Sequence, residues 1–88
     1  MNTKLYAATI NPSLPVIDLH GERYITDATN ELESAAFRYA QSGATACRVI
    51  YGVGTGKMRQ AVITAIKNNP MFGEYVEEES GGSLVVLL

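Results

Sequence analysis

Apolar residues follow two different periods along this chain of 88 residues, and the two periods alternate. Short apolar runs that contain β-branched residues predict four strands, at Leu14 to Leu19, Ala46 to Tyr51, Phe72 to Glu78 and Ser83 to Leu88. Apolar residues at helical spacing predict two helices, one from Thr26 that ends near Gly43 and one from Met58 that ends at Asn68. The predicted order is therefore β-α-β-α-β-β.

This order restricts how the sheet is built. Right-handed crossovers make the first three strands parallel, and a hairpin through Ser80-Gly81-Gly82 turns the last strand antiparallel to its neighbour. The predicted fold class is α/β, a two-layer sandwich with a small mixed four-stranded sheet and two helices on one face. The segments Asp18 to Gly21 and Gly52 to Gly56 follow strands one and two, so we expect them to meet at the carboxyl edge, where open α/β sheets usually bind ligands.

Composition limits the class of protein that this chain can be. Apolar residues make up 47%, charged residues make up 18%, and the formal net charge is -2. These values exclude a disordered segment and argue against a protein that coats nucleic acid through bulk charge. A chain of this length forms one domain without a deep enclosed pocket. We expect residues 1–13 to form an N-terminal arm and residues 14–88 to form the domain.

Two further features bear on the compartment. No apolar stretch approaches the roughly 20 residues of a membrane span, and the first residues lack the pattern of a signal peptide, so we expect no membrane contact. The single cysteine, Cys47, has no partner for an internal disulfide, and we expect it to fill core space. These features predict a cytoplasmic protein, and we expect a monomer.

The charges are distributed unevenly. Between Glu33 and Glu74 there is no acidic residue, whereas five basic residues fall in that interval. Such a local excess of Lys and Arg can hold a few phosphates despite the negative net charge. Ordinary solvated helix faces are the other interpretation of the same residues.

Asp18 and His20 end the first predicted strand. Side chains alternate along a strand, so residues two apart share one face. A carboxylate beside an imidazole orients the ring and selects its tautomer, as general acid or base catalysis requires. The simpler interpretation is a polar strand end, in which Asp18 bonds to loop amides.

The second predicted strand leads into a glycine-rich loop, Gly52-Val53-Gly54-Thr55-Gly56. Glycines let backbone N–H groups converge on an anion at the positive end of the following helix. Lys57 and Arg59 are close enough in sequence to contact a phosphate bound there. The spacing fits neither the dinucleotide-binding pattern nor the Walker loop, because Lys57 replaces the last glycine of the first and Met58 replaces the hydroxyl of the second. A tight turn with nothing bound is the alternative.

Three segments in this order resemble the motifs of the Smr (small MutS-related) domain family. The segment from Val16 to Gly21 is similar to the family's L-D-L-H-G strand end, Tyr51 to Gly56 is similar to its H-G-x-G-x-G loop, and Gly82 to Leu87 is similar to its closing strand. The resemblance extends from about Leu14 to the last residue. Gly21-Glu22-Arg23-Tyr24 also resembles the version at the C-terminus of certain MutS-type ATPases, whose ATPase has no counterpart here, so we expect a stand-alone member.

The resemblance implies a two-layer α/β fold that binds DNA or RNA. Many Smr domains are nicking or structure-directed endonucleases, which implies that Asp18 and His20 lie in the catalytic motif. It also implies that Gly52, Gly54 and Gly56 lie in the nucleic-acid-binding loop. We expect their neighbours Thr55, Lys57 and Arg59 to contact the nucleic acid as well. We expect branched or single-stranded DNA or RNA as the partner.

The loop departs from the family pattern at its first position, where Tyr51 stands in place of histidine. A tyrosine, with an ordinary pKa of about 10, is a poor base at neutral pH. It can instead stack on an unpaired base, and we expect Tyr51 to belong to the nucleic-acid-binding residues.

Three functions follow from these residues. The first is an endonuclease that uses His20 as acid or base. The residues establish no cofactor for it, and the participation of a divalent metal such as Mg or Mn, held through Asp18, is left open. The second is a non-cleaving module that recognises nucleic-acid structure and uses Tyr51 for stacking. The third is a protein-interaction domain in which Leu84 to Leu88 form an exposed sheet edge.

Overall fold

The computed structural model describes residues 2–88 and contains three helices and four strands, in the order α1 (Thr3–Thr9), β1 (Val16–Asp18), α2 (Ile25–Gln41), β2 (Ala46–Ile50), α3 (Lys57–Asn68), β3 (Tyr75–Glu77) and β4 (Ser83–Leu87). Every predicted strand and both predicted helices are present, which confirms the α/β class. Among residues 2–88, no helix is long and apolar enough to cross a membrane.

The four strands form one mixed sheet in the order β1-β2-β4-β3. β1 and β2 are parallel, whereas β4 runs antiparallel to both of its neighbours, β2 and β3. The last strand in sequence therefore lies inside the sheet, and Leu84, Val85 and Val86 are fully buried. The prediction that Leu84 to Leu88 form an exposed sheet edge is wrong, because both sides of β4 are already paired.

α2 and α3 pack on one face of the sheet and form the main core. Alternation along β2 and β4 directs Cys47, Val49, Leu84 and Val86 to this face, where they meet apolar residues of the two helices such as Leu32. Cys47 is completely buried, which confirms that it fills core space. Burial raises the pKa of its thiol to about 12. Two helices on one face is thus the arrangement that the sequence predicted.

α1 packs on the opposite face and was not predicted. Its buried residues, Leu5 and Ala8, meet Ala46 and Val85, whose side chains alternate to that second face. The side chain of Asn2 caps the helix by accepting hydrogen bonds from the N–H groups of Lys4 and Leu5. The sequence predicted an arm at residues 1–13; within the described part of it, a helix covers part of a sheet face, while Met1 lies outside the described residues. The boundary between residues 13 and 14 stays a prediction.

Candidate functional site

The ends of β1 and β2 meet at the carboxyl edge of the sheet. The N–H of Leu19 donates to the carbonyl oxygen of Ile50 over 2.7 Å, which extends the strand pairing past the end of β1. A Cβ added to Gly52 would lie 3.2 Å from the Cβ of His20. The two loops that the sequence placed at one edge are therefore in contact, and Gly52 is in the position of closest approach.

Asp18 and His20 form a hydrogen-bonded pair at this edge. Nδ1 of His20 lies 2.5 Å from Oδ1 of Asp18, and the backbone N–H of His20 donates to the same oxygen over 3.1 Å. These hydrogen bonds, the one from the imidazole first, hold the pKa of Asp18 below its usual value. An ionised carboxylate only accepts, so Nδ1 carries the proton, and in the neutral form of the ring Nε2 then has the lone pair. Both side chains are exposed, so Nε2 is accessible to a substrate.

The glycine loop follows directly. Gly52 and Gly56 have φ values of +82° and +86°, in the left-handed region that favours glycine, whereas Gly54 does not. Gly56 is the N-cap of α3 and provides no side-chain cap, and an α-helix leaves its first N–H groups without helical acceptors. The N–H of Lys57 donates weakly to the hydroxyl of Thr55 over 3.4 Å. Backbone donors and the exposed Lys57 thus gather at the end of the loop.

Tyr51 does not lie on the surface. Its side chain belongs to the main core, only 4% of the residue is exposed, and its hydroxyl donates to the carbonyl oxygen of Ser83 over 3.1 Å. Burial, followed by the nearby carboxylate of Glu77, raises the pKa of the phenol, so it stays a neutral donor. The prediction that Tyr51 stacks on a base is wrong in this structure, because the ring faces the helices.

Arg59 is engaged with a carboxylate that the sequence interpretation had left out of the site. Its Nε and Nη2 donate to the two carboxylate oxygens of Glu77 over 2.5 and 2.8 Å, and the Tyr51 hydroxyl lies 3.4 Å from the first of these oxygens. The hydrogen bond from Arg59 lowers the pKa of Glu77. Arg59 therefore has an internal anion where the sequence predicted a phosphate. Only the folded sheet brings these two residues, 18 positions apart, into contact.

A groove of about 680 Å³ opens on the second face of the sheet, beside Asp18 and His20. Arg48 lines it and is fixed at three points: Nε and Nη2 donate to Glu78 over 2.8 and 3.1 Å, and Nη2 donates to the carbonyl oxygen of Thr9 over 3.1 Å. The sequence had placed Arg48 only in the general basic interval. Within residues 2–88, no cluster of three or more His, Cys, Asp or Glu side chains is arranged to hold a metal ion.

Known proteins are similar to this chain in both sequence and fold. The model of the Smr domain family matches residues 17–88. The chain is 37% identical over 75 residues to Endonuclease MutS2 of Halothermothrix orenii, an alignment that covers 83% of this chain and 9% of that much longer protein. The crystal structure of the Smr domain of Thermus thermophilus MutS2 superposes with a TM-score of 0.77 at 26% identity, covering 84% of this chain and 96% of that one.

Proposed function

This chain belongs to the Smr domain family, and we propose that it binds DNA or RNA and cleaves phosphodiester bonds. The observation that carries the proposal is the imidazole of His20, which is held by Asp18 and set against Gly52 of the glycine loop. A proton acceptor thus lies at one end of a loop whose other end presents backbone donors suited to an anion. The similarity to a protein named as an endonuclease supports the same chemistry.

The glycine loop and the first turn of α3 bind the phosphate in this proposal. Unpaired N–H groups at the start of a helix attract an anion, and Lys57 adds a full positive charge. Arg59 joins them when it exchanges the carboxylate of Glu77 for a phosphate, since both present two oxygens to the guanidinium. The other end of the same loop, at Gly52, lies against His20, so a strand that follows the loop from Lys57 reaches the imidazole.

His20 then supplies the proton chemistry. Nε2 accepts a proton from the attacking water or ribose hydroxyl, and Asp18 stabilises the imidazolium that forms. General base catalysis of this kind contributes about 10²- to 10⁴-fold in rate. The chain has one histidine, so Lys57 takes the complementary part by stabilising charge on the leaving oxygen. In a variant of this mechanism, Mg or Mn bound beside Asp18 would activate the water, and a cleavage assay with and without metal must distinguish this variant from catalysis by His20.

A cleavage assay tests the proposal. Labelled duplex, branched and single-stranded DNA and RNA are incubated with the protein and with His20→Ala, in EDTA or with Mg or Mn, and retention and cleavage are scored separately. We expect His20→Ala to lower cleavage about 10²- to 10⁴-fold and to leave retention nearly unchanged. Asp18→Asn should lower cleavage about 10-fold, because the ring keeps its contact but loses the charge beside it. Cleavage that survives His20→Ala intact would refute the assignment.

A non-cleaving module is the second candidate, and the burial of Tyr51 favours it. The loop position at which the family usually carries histidine is used here to pack the core, so it offers the reaction no acid or base. In that case the same assay gives retention without products under every metal condition. Where the assay does give products, their ends distinguish the two nucleophiles of the first candidate, since attack by a ribose hydroxyl leaves a cyclic phosphate and attack by water does not.

The proposal extends to the partner and the compartment. We place the domain in the cytoplasm, in keeping with the free thiol of Cys47, and we propose that it is a monomer. Single-stranded or branched nucleic acid is the proposed partner, because the shallow carboxyl edge leaves the bound strand accessible from one side. Sedimentation of the purified domain alone and with an oligonucleotide checks the stoichiometry.

A further inference from the structure

The groove on the second sheet face is open because α1 covers only part of that face. Asp18, Ile50 and Ser83 stand opposite one another in register on β1, β2 and β4, and all three line the groove. Arg48 lies two residues before Ile50 on the same face, about 7 Å along the strand. Its hydrogen bond to Thr9 marks where α1 ends and the groove begins.

The charges of the groove do not suit a phosphate. Arg48 is its one guanidinium, and Glu78 already neutralises it with two hydrogen bonds. Glu79 and Asp18 also line the groove, so carboxylates outnumber the cations there. A phosphate placed in the groove would face net repulsion, in contrast to one at the glycine loop.

The surfaces that remain suit a flat, uncharged ring. Ile50 contributes a half-buried apolar side chain to the groove, and Val53 contributes one that is 81% exposed at its rim. Three hydrogen bonds immobilise the planar guanidinium of Arg48 beside them. Apolar side chains and guanidinium planes are the surfaces on which proteins stack unpaired bases.

We propose that this groove is a subsite for one unpaired nucleobase, that of a nucleotide next to the phosphate at His20. The proposal rests on the proposed function, because His20 lines the groove and also touches the glycine loop. The phosphate lies at the loop, the base turns onto Ile50 and Arg48, and the carboxylates at the rim keep the backbone out. A base within a duplex is stacked and paired and does not enter, so the subsite selects single-stranded positions.

An abasic scan tests the subsite. A labelled single-stranded oligonucleotide is made with one abasic residue at successive positions, which removes a base and leaves every phosphate. We expect one position, adjacent to the cut, at which the abasic residue weakens binding or slows cleavage by about 5- to 150-fold, as the loss of one stacked base does. Other positions should change these values less than about twofold.

Variants of the chain then locate the effect. Val53→Ala and Ile50→Ala should each reduce the penalty at that one position, and Val53 is so exposed that its replacement leaves the fold intact. Val16→Ala is the matched control, because Val16 lies on the same sheet face outside the groove. Retained binding with a uniform scan, or a penalty that neither groove variant reduces, would overturn the subsite alone. Failure to bind the intact oligonucleotide would overturn the proposed function as well.

Discussion

Replacement of Glu77 by glutamine is the perturbation that bears most directly on the phosphate site. The carboxylate of Glu77 accepts hydrogen bonds from Nε and Nη2 of Arg59 over 2.5 and 2.8 Å, so Arg59 reaches a phosphate only after this pair has opened. Glutamine keeps an oxygen for the Tyr51 hydroxyl and removes the negative charge. Glu77→Gln should therefore strengthen nucleic-acid binding.

The size of the gain follows from the exposure of the pair. The side chains of Arg59 and Glu77 are 42% and 37% exposed, so water screens their attraction and the pair competes only modestly with a phosphate. We expect the dissociation constant for a single-stranded oligonucleotide to fall about 2- to 5-fold beyond the effect of removing one negative charge. If Arg59 gains a full phosphate contact, the slope of log K against log salt should steepen by up to about 0.7.

Fluorescence anisotropy across a salt series measures both quantities. Glu74→Gln is the matched control, because it removes the same charge from an exposed position three residues away that lies outside the groove. The pair of substitutions is then repeated in an Arg59→Gln background, where Glu77→Gln should have no more effect than Glu74→Gln. Equal gains from the two glutamate variants in the parent chain, or a special gain from Glu77→Gln that persists without Arg59, would refute the reasoning.

Three further predictions concern the fold beneath the site. Gly52→Ala should cost about 1–2 kcal/mol in urea unfolding and reduce cleavage, because φ is +82° and the new methyl approaches the side chain of His20. Gly54→Ala, with open space around the new methyl and no positive φ, should leave the free energy of unfolding nearly unchanged. The hydrogen bond from Arg48 lowers the pKa of Glu78 below its ordinary value of 4.5, so this pair stabilises the fold above that pH and its contribution is lost as pH falls through the lower pKa of the folded state. The stability of Glu78→Gln, measured by circular dichroism, should therefore fall less steeply as the pH is lowered. An unchanged dependence on pH would contradict the stabilising role of the pair. Cys47, buried and with its pKa raised to about 12, should react with a thiol reagent only after unfolding, and rapid labelling of the native protein would show otherwise.

Most of the fold could be predicted from the sequence because its local signals agree with the tertiary contacts. β2 coincides with a predicted apolar run that only Arg48 interrupts, and α2 ends two residues before Gly43, which adopts a positive φ. α2 begins at Ile25, one residue before the predicted start at Thr26, and its N-cap is Tyr24, which makes no side-chain hydrogen bond. α1 escaped prediction because seven residues with two buried positions show no periodicity to detect.

The candidate site was predictable where backbone geometry alone decides it. The period of a strand places Asp18 and His20 together, and parallel strands bring Gly52 to them. Side chains that meet only through the folded sheet were not predictable. The contact of Arg59 with Glu77 depends on which strand neighbours which. The burial of the Tyr51 ring, by contrast, follows the alternation of Cys47, Val49 and Tyr51, a signal that the sequence contains and that was not used.

The position of β4 has a consequence for how the molecule assembles. The residues that synthesis supplies last in the sheet, 83–87, insert between β2 and β3, so neither of these strands can pair with β4 before those residues have been made. Such distant pairing slows folding relative to helical proteins of this size. A nascent chain that stalls before residue 83 has no centre for its sheet, and it exposes two strand edges to other chains instead.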